Sequence, residues 1–184
     1  MNFKGLRILA MSGSLRRAST NSAVLAALAG LAPPGATIDA YRGLRGIPAF
    51  DPDDDDGVEA LPAAVEELRT SVRASDGLVI AMPEYAHGVP GAFKNALDWL
   101  VSSDAFPGKP VALINAAPRA FHAQSALRET LATMSARLIP EAFVSLPLTG
   151  KQLTAEDILA DRRFATLLRE ALDRFIEAIR GDAR

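Results

Sequence analysis

The chain has 184 residues and carries 20 Lys plus Arg against 22 Asp plus Glu, so no overall basic charge recommends a nucleic-acid role. It contains no cysteine, which excludes disulfides, a thiolate nucleophile and cysteine-ligated metal or iron–sulfur clusters; two histidines, His87 and His122, exclude a histidine-rich metal site. Hydrophobic residues at 49% beside 23% charged suit one globular domain over residues 1–184, with no membrane span and no signal peptide, and a cytoplasmic location is expected.

In chain order, Leu6 to Met11 reads as a short apolar strand that runs into the polar stretch Ser12–Thr20. Val24, Leu25, Leu28 and Leu31 then recur at helical spacing until Pro33-Pro34-Gly35 stops the helix. Thr37 to Tyr41 alternates as a short strand. Gly43 to Gly57 is a loop, with two prolines, three glycines and a run of mutually repelling aspartates. Asp53 to Asp56 lack the alternating ligands and glycine turn of a calcium loop, and are read as a solvated loop that also supplies a helix cap.

A helix is predicted from Val58, with Leu61, Val65 and Leu68 on one face. Gly77 to Met82 is continuously apolar, as in a strand buried on both faces of a parallel sheet. The alternation repeats: helix over Ala92–Leu100, strand over Pro110–Asn115, helix over Ser125–Ala136, strand over Glu141–Leu146 and a long helix over Ala155–Ile179. Five short strands alternating with helices, without hairpin signals, imply right-handed crossovers and a three-layer α/β sandwich. Ligands in such folds sit beyond the carboxyl ends of strands where the strand order reverses, which directs attention to the loops after the first, third and fourth strands.

The first of these, SGSLRRASTN, places free backbone N–H groups at a strand-to-helix junction, which suits a phosphate. Ser12, Ser14, Ser19 and Thr20 add hydroxyls and Arg16 can bind an anion bidentately, while Arg17 is read as facing solvent. Alternatively, Ser19, Thr20 or Asn21 serves only to cap the helix. The loop matches neither GxGxxG nor GxxxxGK[ST]. After the third strand, PEYAHGVPG is stiffened by Pro83 and Pro90, and Gly88 and Gly91 permit close approach or unusual backbone angles. Tyr85 either shapes a pocket or packs on the neighbouring helix, Glu84 is read as structural rather than as a base, and His87 as an exposed loop residue. Trp99 is either core or subunit contact, and Lys94 and Asn95 are placed to orient this loop.

Together, GSLRRASTN, IPAFDPD and PEYAHGVPGAFKNALDWL resemble the NAD(P)H-dependent FMN reductase family, flavodoxin-like proteins that include quinone, azo-dye and chromate reductases. The resemblance runs over nearly the whole chain. It implies a flavodoxin-like five-stranded parallel sheet in the order 2-1-3-4-5, with Ser14, Arg16, Ser19 and Asn21 around the FMN phosphate. Pro83, Glu84, Tyr85, His87 and Gly88 would line the isoalloxazine ring, largely through backbone groups. It also implies NADPH or NADH as hydride donor, a quinone or similar small acceptor, no catalytic side chain, and a homodimer or homotetramer. The rival readings are an FMN electron carrier without efficient NAD(P)H oxidation and a non-redox protein for another phosphorylated ligand. Two departures stand out. Ala86 replaces the family's usual Asn, and AAPRAFHAQ replaces a glycine-rich fourth loop, so that Phe121 and His122 reshape the pocket and Arg119 meets the flavin, a nicotinamide nucleotide phosphate or solvent.

Overall fold

The computed structural model describes residues 5–57, 60–119, 121–148 and 152–182. Its sheet is built on β1 (Leu6–Ser12), flanked by β2 (Ala36–Ala40) and β3 (Gly77–Ala81), with β4 (Pro110–Asn115) beyond β3. All pairings are parallel, with Ile8 opposite both Ile38 and Gly77, and Ile80 opposite Leu113. The order β2-β1-β3-β4-β5 is the expected one.

The far edge differs from the expectation of one strand over Glu141–Leu146. Two short strands share it: β5 (Arg137–Leu138) pairs with the start of β4, and β6 (Val144–Ser145) pairs with its end. Between them, Pro140 opens a 3-10 turn over Pro140–Ala142. Proline has no N–H for the ladder and a fixed φ, so the edge strand breaks there and the sheet has six strands among the described residues.

Because successive strand residues face opposite ways, each central strand feeds two cores. Ile8, Ala10, Val79, Ala81, Ala112 and Ile114 pack under α1 (Thr20–Gly30), α5 (Ala155–Ala160) and α6 (Arg162–Asp182). Leu9, Met11, Leu78, Ile80, Val111 and Leu113 pack under α2 (Ala63–Arg73), α3 (Gly91–Asp98) and α4 (Phe121–Thr133). Trp99, Phe93 and Phe106 are fully buried in this second layer, so Trp99 is core. Gly77 has a packing reason: a Cβ there would lie 2.8 Å from the Phe175 ring and 2.9 Å from Ile179 Cδ1, so only glycine lets α6 lie this close to the sheet.

The helices also depart from their expected bounds. The C-terminal helix is two, because Asp161 takes extended backbone, ends α5, and accepts from Arg163 N and Phe164 N at the start of α6. Thr154 and Asp157 form a capping box that starts α5. α4 begins one turn early, at Phe121. α2 begins at Ala63, after Pro62; the earlier start expected at Val58 lies outside the described residues. Among the described residues no helix is long and apolar enough to cross a membrane.

Candidate functional site

The loops after β1 and β3 fold against each other. Gly13 N donates to Ala81 O at 2.9 Å, and a Cβ on Gly13 would come within 2.5 Å of Met82 Cβ, so the chain needs glycine there to bring the two turns together. Within the first loop the serines form a hydroxyl ladder. Ser14 N donates to Ser12 Oγ, Arg16 N donates to Ser14 Oγ, and Ser22 Oγ donates to Ser12 Oγ at 2.9 Å.

Ser19 caps α1, its Oγ accepting from Ser22 N, and the first turn of α1 holds no acidic residue to cancel the positive helix end. Asn21 Oδ1 is buried and has no hydrogen-bond partner among the described residues. A fold seldom leaves such an atom unmet, so it marks a place for a polar group from outside the chain. Arg16 and Arg17 are both exposed. An open cleft of about 820 Å³ is lined by Ser14, Arg17, Ser19, Thr20, Arg45 and Thr154 among others, with Arg16 outside that lining. Arg45 Nη2 donates to Leu15 O at 2.7 Å and closes the loop over the cleft.

After β3 the chain closes a tight turn: Tyr85 N donates to Gly88 O at 3.2 Å and Gly88 N to Tyr85 O at 2.9 Å. The unusual backbone angles fall on Ala86 (φ 49°) and His87 (φ 60°), and not on Gly88 or Gly91, for which close approach was the other expected use. Two consecutive residues at positive φ make a primed turn, in which glycine or asparagine is the ordinary choice. For an alanine the left-handed region costs about 1–2 kcal/mol. Gly88 serves by bareness instead, since a Cβ there would meet only Tyr85 O, at 3.6 Å, and would otherwise point into open space. Tyr85 is 52% exposed. Lys94 pairs with Asp98 along α3, and Asn95 serves the β2 loop, not its own.

The third loop is tied to the second at two points. Glu84 Oε2 accepts from Ala123 N at 2.9 Å, so the carboxylate caps the first turn of α4 and is occupied structurally. The imidazoles of His87 and His122 stack with centroids 4.2 Å apart, and the Phe121 ring follows at 3.9 Å from His122. Phe121, 59% exposed, and the two exposed histidines thus form a ladder of rings that joins the turn to the start of α4. Arg119 is exposed and makes no ion pair among the described residues.

Sequence reasoning missed the role of the acidic stretch after β2. Asp55 is no solvated residue: its side chain is 9% exposed and meets Arg69 Nη2 at 2.8 Å. Arg69 also donates to Trp99 O and Ser102 Oγ, and Ser102 Oγ donates to Asp55. Burial pushes the Asp55 carboxyl up, but the hydrogen bonds from Arg69 and Ser102 and the guanidinium charge outweigh it and hold the group below its ordinary value. Asn95 accepts from Phe50 N and donates to Pro48 O, which also accepts from Trp99 Nε1, while Phe50 meets the Trp99 ring edge-on at 5.1 Å. The available signal was Arg69 itself, a charge on the apolar face of α2 next to Leu68, which called for a buried partner.

Against known proteins, the family model for NADPH-dependent FMN reductase matches residues 6–150. An NAD(P)H-dependent FMN reductase of Pseudomonas aeruginosa is 35% identical over 186 residues, covering 96% of this chain and 98% of that protein. A quinone reductase of Escherichia coli K12 is 40% identical over 108 residues, 58% of this chain and 57% of the relative. Among solved structures, the flavoenzyme NAD(P)H:(acceptor) oxidoreductase FerB from Paracoccus denitrificans superposes with a TM-score of 0.77 at 27% identity, covering 96% of this chain and 98% of that one.

Proposed function

We propose that this chain, which belongs to the NADPH-dependent FMN reductase family, is an FMN-dependent oxidoreductase that moves two electrons from NADPH or NADH to a quinone or similar small acceptor. One observation carries the reading: the hydroxyl ladder at the start of α1 and the bare, strained turn after β3 are pinned together at one end of the sheet through Gly13 and Ala81. An anion and a flat ring on one molecule would meet both.

When bound, FMN supplies hydride acceptance and two-electron delivery. The chain supplies the rest. Ser12, Ser14, Ser19, Thr20 and Asn21, with Arg16, would hold the phosphate, and the unmet Asn21 Oδ1 would suit a hydroxyl of the same ligand. Backbone groups of Pro83, Glu84, Tyr85, Ala86, His87 and Gly88 would hold the ring, and Arg119 would meet the flavin or the phosphate of the nicotinamide nucleotide. No side chain need act as nucleophile or base, which accords with Glu84 being spent on capping α4. Because Arg17 and not Arg16 lines the cleft, a second assignment within this reading gives the phosphate to Arg17.

We take the protein to work as a single flavodoxin-like domain, as a homodimer or homotetramer in the cytoplasm; light scattering tests the assembly. The deciding experiment is a visible spectrum after FMN addition and repurification, followed by anaerobic NADPH in the same cuvette. Retained yellow colour that bleaches supports the oxidoreductase. Colour that persists after NADPH points to an electron carrier, and a colourless protein to a different phosphorylated ligand.

A further inference from the structure

A second pocket lies on the outer side of the β4 loop, apart from the hydroxyl ladder. It measures about 270 Å³ and opens between α4 and the β4–β6 edge, with Asn115, Phe121, Gln124, Arg128, Phe143 and Ser145 in its lining. Gln124 is the informative member. It is only 7% exposed, yet its amide makes no hydrogen bond to any described residue. Its amide opens onto the pocket, where two donors and an acceptor are available to something that enters it.

The rest of the lining says what would enter. Arg128 has no carboxylate partner among the described residues, and its guanidinium lies 5.0 Å from the centre of the Phe143 ring, so a cation is held at the pocket without being neutralised. Asn115 Oδ1 already accepts from Ala117 N, which leaves its NH₂ as a donor, and Ser145 adds a hydroxyl. Phe121 and Phe143 supply two aromatic walls. Donors and one free cation between aromatic faces, in a space of this size, suit a planar ring that carries negatively charged oxygen.

We propose that this pocket binds a one-ring aromatic oxyanion, of the aromatic carboxylate or hydroxyquinone class. The site is independent of the flavin reading, because its ligand can be measured without any redox turnover. It is nevertheless adjacent to it: Phe121 forms a wall of the pocket and also stacks on His122, which stacks on His87 of the β3 turn.

The test is calorimetric titration of the purified full-length protein, as isolated, with 4-hydroxybenzoate, a ring that cannot accept electrons. Saturable binding is expected, weakened at least tenfold by Arg128→Ala and by Gln124→Leu and also when 4-hydroxybenzyl alcohol replaces the acid, with FMN affinity unchanged in both variants. Gln124→Leu is further expected to leave Tm close to that of the wild type, since the amide it removes has no hydrogen-bond partner among the described residues. No saturable heat, or an affinity unchanged in both variants, overturns the proposal. So does a lowered Tm for Gln124→Leu with wild-type affinity, which would assign the amide a structural partner. Arg128 is exposed, so its variant remains informative if Gln124→Leu folds poorly. A hydroxyquinone whose KM rises in Arg128→Ala identifies the ligand as an electron acceptor; binding with KM unmoved identifies a non-reacting ligand of the same class.

Discussion

The segments after β2 and β3 leave the same end of the sheet, and both are irregular and proline-containing, yet they use their polar groups in opposite ways. After β2, Asp55, Pro48 O and Phe50 N turn inward and close on Arg69, Trp99 and Asn95. After β3, Tyr85, Ala86 and His87 stay exposed, two of them at positive φ, and the only ties to another element are Glu84 on Ala123 N and the His87 ring on His122 among the described residues. Polar groups answered within the protein hold the fold together. Groups left unanswered, on backbone held against its own preference, are what a fold keeps for a ligand.

If this division is sound, variants in the first segment should cost stability and spare binding, and variants at the ligand loops should do the reverse. The largest effect is expected at Arg69→Ala, which strands a nearly buried carboxylate and should cost about 3 kcal/mol in denaturant unfolding; a loss under about 1 kcal/mol would break the comparison. The acid side of the same pair has a definite sign. The folded Asp55 carboxyl titrates below its ordinary value of 3.8, so its contribution is whole above that pH and is lost as pH falls through the lower folded value. The Tm gap between wild type and Asp55→Asn should therefore be constant at neutral pH and shrink only below about pH 4.

Next in size, Arg16→Ala should weaken FMN binding about tenfold with Tm unmoved, by loss of a charge-assisted hydrogen bond, and Arg17→Ala by less. The reverse order, read from FMN titrations, would move the phosphate into the cleft that Arg17 lines. Ala86→Gly should raise stability by about 1 kcal/mol, because glycine takes φ 49° without penalty; a lower Tm would show that the turn is not strained. Smallest is Tyr41→Phe. The Tyr41 hydroxyl is buried without a partner among the described residues, and burial, assisted by the Glu67 charge, pushes its pKa up to about 12. The folded state thus keeps the proton while the unfolded chain has lost it, so wild-type Tm should fall between pH 10 and 12 and the variant's should not.

Much of this was legible before any coordinates. Continuous apolar runs such as Gly77–Met82 can hardly be anything but strands covered on both faces, and with helices between them the parallel order follows. The hydroxyl-rich loop was also legible, because strand-to-helix junctions have a known electrostatic character. What stayed hidden depended on partners far along the chain. The pairing of Asp55 with Arg69 is invisible in a run of four aspartates, since repulsion within the run is local and its relief is not. Asp161 fits the helical pattern of its neighbours in sequence, and only the fold brings its carboxylate to the start of α6 as a cap. The left-handed turn fell on Ala86 and His87 because the two hydrogen bonds between Tyr85 and Gly88 dictate which positions lie at the tip, whatever residues occupy them. The ladder of His87, His122 and Phe121 needed two loops to meet, which no spacing in the sequence encodes.

Trp99 is the chain's one tryptophan, fully buried, with its indole N–H on Pro48 O and its ring against Phe50. An indole in such dry surroundings fluoresces toward the blue and shifts red on contact with water. The molecule therefore carries its own optical gauge of whether the segment after β2 is seated, readable without any label and separable in time from the loss of the yellow chromophore.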